Sequence, residues 1–408
     1  MDGFKDVELK LERAANDLQN SNGKEVKLNP TDANIFDQAM LWLNANRNLK
    51  RNNITLFLEE DSNKISEHEL NTIFIDLKKD VPKIVYRDFN ILITSNKIPS
   101  YNPLLDFFEK YSDRTPTGNI KQLSECISSD TGLIEPGSFY PEYVERFLKK
   151  WMVGLVASVH GDNYNPLMVI LVGPKNTGKT EYFKRLLPKE LQAYFCQSKL
   201  DQGKDSEAQM SEKLLILNDE LDGFSRRESK TFRNFISAST YNFRPPYGRQ
   251  NITRKRLATV CGTSNDSEIL NDQRNNRRVI IIELNKKINY QKSNNIDKVD
   301  LLMEAYNLYR DGFDYNLNDD DIRVLDECSV QFKTVNMEEE LISRFFKMPE
   351  TGSPFLVRMT ATDIKDHIET HSKQRIYVNN LGRALKSLGF KQGRSGNNRI
   401  WYVEKQDK

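Results

Sequence analysis

The segment that most constrains this chain is Gly173-Pro174-Lys175-Asn176-Thr177-Gly178-Lys179-Thr180, which satisfies GxxxxGK[ST] in full. The apolar run Leu167-Met168-Val169-Ile170-Leu171-Val172 precedes it, and Glu181-Tyr182-Phe183-Lys184-Arg185-Leu186-Leu187 follows. That order predicts strand, loop, helix. Glycines let the backbone wrap phosphate oxygens, and the helix start offers unpaired N–H groups to them. A glycine-rich surface turn has no need of such flanks. The expected ligand is ATP, cradled by all eight residues, with Lys179 at the β- and γ-phosphates and Thr180 on Mg²⁺.

A triphosphate site also needs groups that place the metal and activate water. Leu214-Leu215-Ile216-Leu217-Asn218-Asp219-Glu220 reads as a buried strand ending in two carboxylates. Asp219 is expected to hold Mg²⁺ and Glu220 to polarise the attacking water, the Walker B arrangement. Elsewhere an Asp-Glu pair is usually solvated surface. The pairing also argues against a small-molecule kinase, whose acceptor site needs no such base. A third strand, Leu257–Thr263, runs into Ser264-Asn265-Asp266. Asn265, with Thr263 second, is the candidate to orient the water; a simple turn residue is the competing reading, since Asn and Asp favour turns.

Further apolar runs at Ala193–Cys196 and Val279–Glu283 alternate with helical segments, which predicts a parallel sheet covered on both faces. Pro141 opens a helix with Tyr143, Val144, Phe147, Leu148, Trp151, Met152, Leu155 and Val156 as its apolar stripe, leaving Lys149 and Lys150 outside it. The 408 residues suffice for several domains. The expected division is a mainly helical N-terminal domain over 1–112, a linker over 113–140, the ATPase over 141–318, a helical connector over 319–353 and a compact module over 354–408. Four scattered cysteines and no CxxC pair argue against structural zinc. There is no apolar span and no secretion signal, so membrane association is not expected and the cytoplasm is the expected compartment. Net charge is only +2, so any nucleic-acid contact must come from local clusters.

One such cluster runs from Arg226 to Arg256, with Arg244, Arg249, Arg254 and Lys255 among its cations and Tyr241, Phe243 and Tyr247 interleaved. Cations track phosphates and aromatic faces stack bases, which suits single-stranded DNA; a solvated surface is the plainer alternative. Ser225-x-x-Glu228 caps a helix that Pro245-Pro246 cannot continue, so the stretch around Tyr247–Ile252 is expected to turn between two extended arms. Arg249, Arg254 and Lys255 are the DNA candidates there. In the last module, a helix from Thr360, a second ending at Gly389, a basic turn over 391–399 and the strand Ile400–Val403 look like a winged helix. Arg383 and Arg394 are its DNA candidates, with protein docking as the other use.

The order of these pieces resembles superfamily 3 helicases, a branch of AAA+ ATPases, and most closely the virulence-associated-E-like family of phage and mobile-element ATPases. Phe243-Arg244-Pro245-Pro246-Tyr247-Gly248-Arg249, Gly262-Thr263-Ser264-Asn265 and Asn276-Arg277-Arg278 carry the likeness, which spans about Tyr101 to Glu283. The family's usual Thr-Gly before Asn-Arg-Arg is replaced by Arg274-Asn275, a Trp-Asp-Gly segment is missing, and no primase-type domain precedes the ATPase. The resemblance implies an AAA+ P-loop core with a five-stranded parallel sheet, a ring, commonly a hexamer, and a β-hairpin projecting into its channel. It also implies that Arg277, with Arg278 as substitute, acts across the subunit boundary as an arginine finger. By the same likeness the function expected is a DNA-dependent ATPase and helicase acting on single-stranded or forked DNA, with priming left to another chain. An ATP-driven switch or loader without unwinding is the alternative.

Overall fold

The computed structural model describes residues 34–127, 140–201, 203–221, 226–244, 250–265, 278–284, 286–329, 337–349, 353–372, 374, 376, 378–395 and 398–406. Two compact units divide the chain. The first holds the described residues up to Leu221, then 230–265 and 278–321; the second holds the C-terminal residues from Ile322.

The first unit opens on helix Ile35–Asn46, whose N-terminus is capped by the Asn34 side chain accepting from the N–H groups of Phe36 and Asp37. Helices Glu67–Asp80, Tyr86–Thr94 and Pro103–Lys110 follow. Between them runs a small sheet that the sequence analysis did not anticipate. Its strands β1 (Leu49–Asn52), β2 (Leu58–Glu60), β3 (Asn63–Lys64) and β4 (Ser100–Tyr101) lie in the order β3-β2-β1-β4. Strands of two to four residues are too short to show a period-two pattern.

The expected linker is also structured in part. Helix Asn119–Glu125 buries Ile120 and Leu123 completely. Gly118 has no side chain with which to cap it. Glu304 caps it from a distant helix instead, accepting from the N–H groups of Asn119 (2.5 Å) and Ile120 (3.2 Å).

The central sheet comprises β5 (Met168–Val172), β6 (Phe195–Gln197), β7 (Leu215–Asn218), β10 (Thr259–Ser264) and β11 (Val279–Glu283), in the order β11-β5-β10-β7-β6 with every pair parallel. All residues of β5, β7 and β10 are buried, which explains the apolar run of β5 and that of β7 up to Asn218, while β10 buries Thr259, Thr263 and Ser264 beside its apolar residues. An antiparallel hairpin of β8 (Thr240–Phe243) and β9 (Ile252–Lys255) stands before β10.

Helix Tyr140–Ala157 backs this sheet, with Trp151 fully buried and its indole N–H donating to Val260 O at 3.3 Å. Lys150 departs from the sequence reading. It is buried, its ammonium donates to the carbonyls of Asp314 and Asn316 at 2.7 Å each, and it lies 3.2 Å from the buried Asp321 carboxylate. Asp321 keeps Arg146 as a second cation, so what Lys150→Met strands is the pair of carbonyls, and it is expected to cost about 1–3 kcal/mol in denaturant unfolding.

In the second unit, helices Met337–Phe345, Ala361–Ser372 and Val378–Ser387 accompany strands β12 (Phe346–Lys347), β13 (Leu356–Thr360), β14 (Gln392–Ser395) and β15 (Asn398–Lys405). The long strand β15 pairs antiparallel with the other three. Ile342 and Phe346 pack into one core with Ile364, Ile368, Leu385 and Trp401. The latter half of the expected connector is therefore part of this module. Among the described residues, no helix is long and apolar enough to cross a membrane.

Candidate nucleotide-binding site

The strand order decides where the chemistry falls. β10 lies between β5 and β7, and the parallel register sets Ser264 beside Val172 and Gly262 beside Asn218. The carboxyl ends of all three strands thus open on one edge of the sheet, where ligands of open α/β sheets bind.

The glycine-rich loop leaves β5 at that edge. Gly178 has φ +97°, and a β-carbon there would meet the Tyr290 hydroxyl oxygen at 2.0 Å; that hydroxyl donates to Gly178 O at 2.7 Å. Gly173 is equally bound to be glycine, since a β-carbon would lie 2.3 Å from Leu284 O. The segment after β11 braces the loop further, with Ile288 N–H donating to Thr177 O at 3.0 Å. Pro174, Lys175 and Asn176 form the exposed tip. Alanine at Gly178 must strain the backbone and displace Tyr290. Gly178→Ala is expected to weaken ATP binding about 10- to 100-fold in a fluorescent-nucleotide titration.

Lys179 is buried under this loop, its ammonium donating to Gly173 O (2.7 Å), Pro174 O (2.8 Å) and Asn265 Oδ1 (3.1 Å). Thr180 Oγ1 donates to Asp219 Oδ1 at 3.0 Å. The same carboxylate accepts from the Thr263 hydroxyl, and from Gln197 Nε2 at 2.8 Å. Thr263 Oγ1 in turn accepts from Glu220 N–H at 3.2 Å, and Glu220 sits at φ +56°, turning the chain so that its side chain is exposed. Lys179 and Asn265, and Thr180 and Asp219, therefore meet at this edge. Thr263 acts on the carboxylate side of the site. Gln197 was missed: it ends β6, and only the strand order reveals that β6 borders β7.

This donor set fits a triphosphate with Mg²⁺. A hydroxyl and a carboxylate at 3.0 Å are hard oxygen ligands of the kind Mg²⁺ takes. Beside them stand a buried ammonium and a loop that excludes β-carbons at Gly173 and Gly178.

Arg278 lies at the other edge of the sheet. Its carbonyl accepts from Met168 N–H at 2.7 Å, and Val279 pairs with Met168 at the start of β5. At about 3.3 Å per residue, the length of β5 separates it from the loop by roughly 15 Å. Arg277 falls outside the described residues.

Residues 136–334 match the family model of the virulence-associated protein E-like domain. Among solved structures, the chain is similar to the apo C-terminal region of NrS-1, at 10% identity and a TM-score of 0.50, covering 94% of this chain and 100% of that one. An A-form structure of the same region gives 10% identity and 0.50 over 93% and 100%. A structure titled as SCCmec type IV Cch, an active helicase, is similar at 16% identity and 0.36 over 78% and 74%. No curated protein matches the chain. At these identities the likeness to NrS-1 is one of fold.

Within the matched residues, the hairpin faces differ from the sequence reading. Tyr241 and Phe243 alternate inward and are buried, with Tyr241 Oη donating to Phe235 O at 2.6 Å, so neither presents a face for stacking bases. Arg254 donates to Ile54 O (2.6 Å) and Asn53 O (2.9 Å), and Lys255 to Ser158 O (3.0 Å) and to Gly161 O. Arg256 is fully buried, donating to Ala258 O at 2.8 Å and to Ile236 O, and burial pulls its guanidinium down to about 10. Three successive cations thus brace the base of the hairpin. Arg249 lies outside the described residues. In the second unit, Arg394 is exposed on β14 opposite Arg399 of β15, and the main chain of Arg383 lies on helix Val378–Ser387.

Proposed function

We propose that this chain is a DNA-dependent ATPase that works as a ring-forming helicase in the replication of a phage or mobile element. The observation that carries the reading is the contact set at the sheet edge, where Lys179 meets Asn265 and Thr180 meets Asp219. Lys179 is positioned to exchange its carbonyl partners for phosphate oxygens. Thr180 and Asp219 hold Mg²⁺, which when bound neutralises phosphate charge. Glu220 accepts the proton of the attacking water, and Asn265 orients that water.

The 15 Å separation supports a ring. An arginine at the start of β11 is too far to serve the triphosphate of its own chain, so Arg277 or Arg278 acts on a neighbour's, with a hexamer as the expected assembly. For DNA, the hairpin tip with Arg249 is the expected channel contact. Arg254 and Lys255 hold that hairpin in place. The second unit is read as a winged helix that presents Arg383 and Arg394 to the duplex or fork.

Strand displacement on a forked substrate tests the reading. ATP-dependent displacement supports a helicase, whereas ATP turnover without displacement makes the chain a loader or switch. Arg249→Glu is expected to lower single-strand affinity at least about tenfold in low salt; unchanged affinity counts against the channel hairpin.

A further inference from the structure

A second cavity lies within the first unit, away from the phosphate loop. It has a volume of about 560 Å³ and is enclosed by the N-terminal sheet, helix Pro103–Lys110 and the turn Lys189–Tyr194 that leads into β6. That volume is in the range of small-molecule sites. We propose that this cavity is a nucleotide site, taking a nucleobase that bears an exocyclic amine together with its phosphate, either as a free nucleotide or as one unit of a single strand.

The most buried charged residue of the lining is Glu59, a carboxylate only 8% exposed. Its partners are neutral: Asn52 Nδ2 donates to Oε1 at 2.8 Å, and the Tyr101 hydroxyl donates to Oε2. Each carboxylate oxygen has capacity for another donor. Lys50 and Lys64 oppose Glu59 on the adjacent strands, but both of its hydrogen-bond donors are neutral, which favours a ligand that brings N–H groups and disfavours one that brings carbonyl oxygens. Adenine, guanine and cytosine present an exocyclic amine. Thymine presents carbonyl oxygens flanking its single N–H.

The walls and rim fit the remainder of a nucleotide. Phe57, Tyr101 and Tyr194 line the cavity, and aromatic faces stack any base. Burial pushes Tyr194 up to about 12 and Tyr101 higher still, so both hydroxyls stay neutral. Lys64 and Lys213 stand at the lining, Lys64 with its ammonium 3.5 Å from the Phe57 ring centroid and Lys213 donating to Ala193 O at 2.8 Å. Asp106, Lys110 and Glu190 also belong to the lining, with Lys110 matched by Glu190 at 3.1 Å. A ligand that ends in phosphate uses the two rim lysines. One that were purely cationic would meet them as like charges.

The cavity also borders the hairpin anchor. Thr55 and Phe57 form part of its wall, and the carbonyls of Asn53 and Ile54 in the same turn hold Arg254 of β9. Occupancy therefore bears on the segment that positions the hairpin.

The test is calorimetric titration of full-length Lys179→Ala protein with dAMP, dCMP, dGMP and TMP, so that the phosphate loop is disabled and no triphosphate is present. The proposal predicts that the amine-bearing nucleotides bind at least about tenfold more tightly than TMP. Glu59→Gln, whose amide can donate to a carbonyl, is expected to remove that preference. Lys64→Glu, at an exposed position, is expected to weaken all four. Oligonucleotides of dC or dA that bind more tightly than oligo-dT by the same margin, and lose that margin in Glu59→Gln protein, identify a strand as the source; a preference seen with mononucleotides alone identifies the free nucleotide. Absence of binding by mononucleotides and oligonucleotides alike, or a Glu59→Gln protein that keeps the full preference, overturns the proposal. Either result leaves the ATPase reading untouched, since that is measured in wild-type protein with ATP.

Discussion

Lys179→Ala protein is expected to hydrolyse ATP at least about 10²-fold more slowly than wild type. The ammonium is already aimed into the loop by three acceptors, Gly173 O, Pro174 O and Asn265 Oδ1. Its loss removes the buried positive charge of the loop, while the loop's own braces, Tyr290 on Gly178 O and Ile288 N–H on Thr177 O, remain. Unfolding should therefore change far less than turnover. A steady-state phosphate-release assay and a thermal melt on the same sample separate the two. Turnover within a few-fold of wild type would mean that hydrolysis, if any, happens elsewhere.

The second large effect is expected at the arginines before β11. Arg277→Ala, or Arg278→Ala if the neighbouring residue serves, should lower the ATP turnover rate about 10³- to 10⁵-fold. ATP affinity should stay near that of wild type, because the start of β11 is at the far edge of the sheet from the loop of the same chain. Mixing provides the sharper test. Arg277→Ala subunits have an intact loop and Lys179→Ala subunits an intact arginine, so mixed rings should recover turnover that neither shows alone. Loss of ATP affinity in the arginine variant, with assembly unchanged, would make it a residue acting within its own chain.

The parts legible in the sequence are those where burial and chemistry leave a local mark. β5 and β7 are covered on both faces, so they read as apolar runs, and β11 coincides with its run, Val279–Glu283. The glycine loop is readable because Gly173 and Gly178 admit no β-carbon. Asp219 was legible because it ends one of those runs. Gln197 was not, because its role depends on β6 lying beside β7, which no local pattern states.

The basic segment shows the opposite failure. Composition groups Arg254, Lys255 and Arg256 with DNA-binding cations, yet each spends its donors on main-chain carbonyls. Sequence records how many charges a segment holds, while carbonyl acceptors such as those of Asn53, Ser158 and Ile236 appear only once the chain has folded. Lys150 is the same lesson on a helix, with Asp314 and Asn316 as its acceptors. Helix Asn119–Glu125 escaped notice because its cap, Glu304, is remote in the chain.

The most direct measurement is the ATP hydrolysis rate of the full-length protein with Mg²⁺, taken with and without single-stranded DNA, beside that of Glu220→Gln. The account predicts turnover that rises when DNA is added, and a Glu220→Gln protein that binds ATP as tightly as wild type but turns it over at least about 10²-fold more slowly. A wild-type protein that binds ATP and never hydrolyses it, or a Glu220→Gln protein as active as wild type, would contradict it.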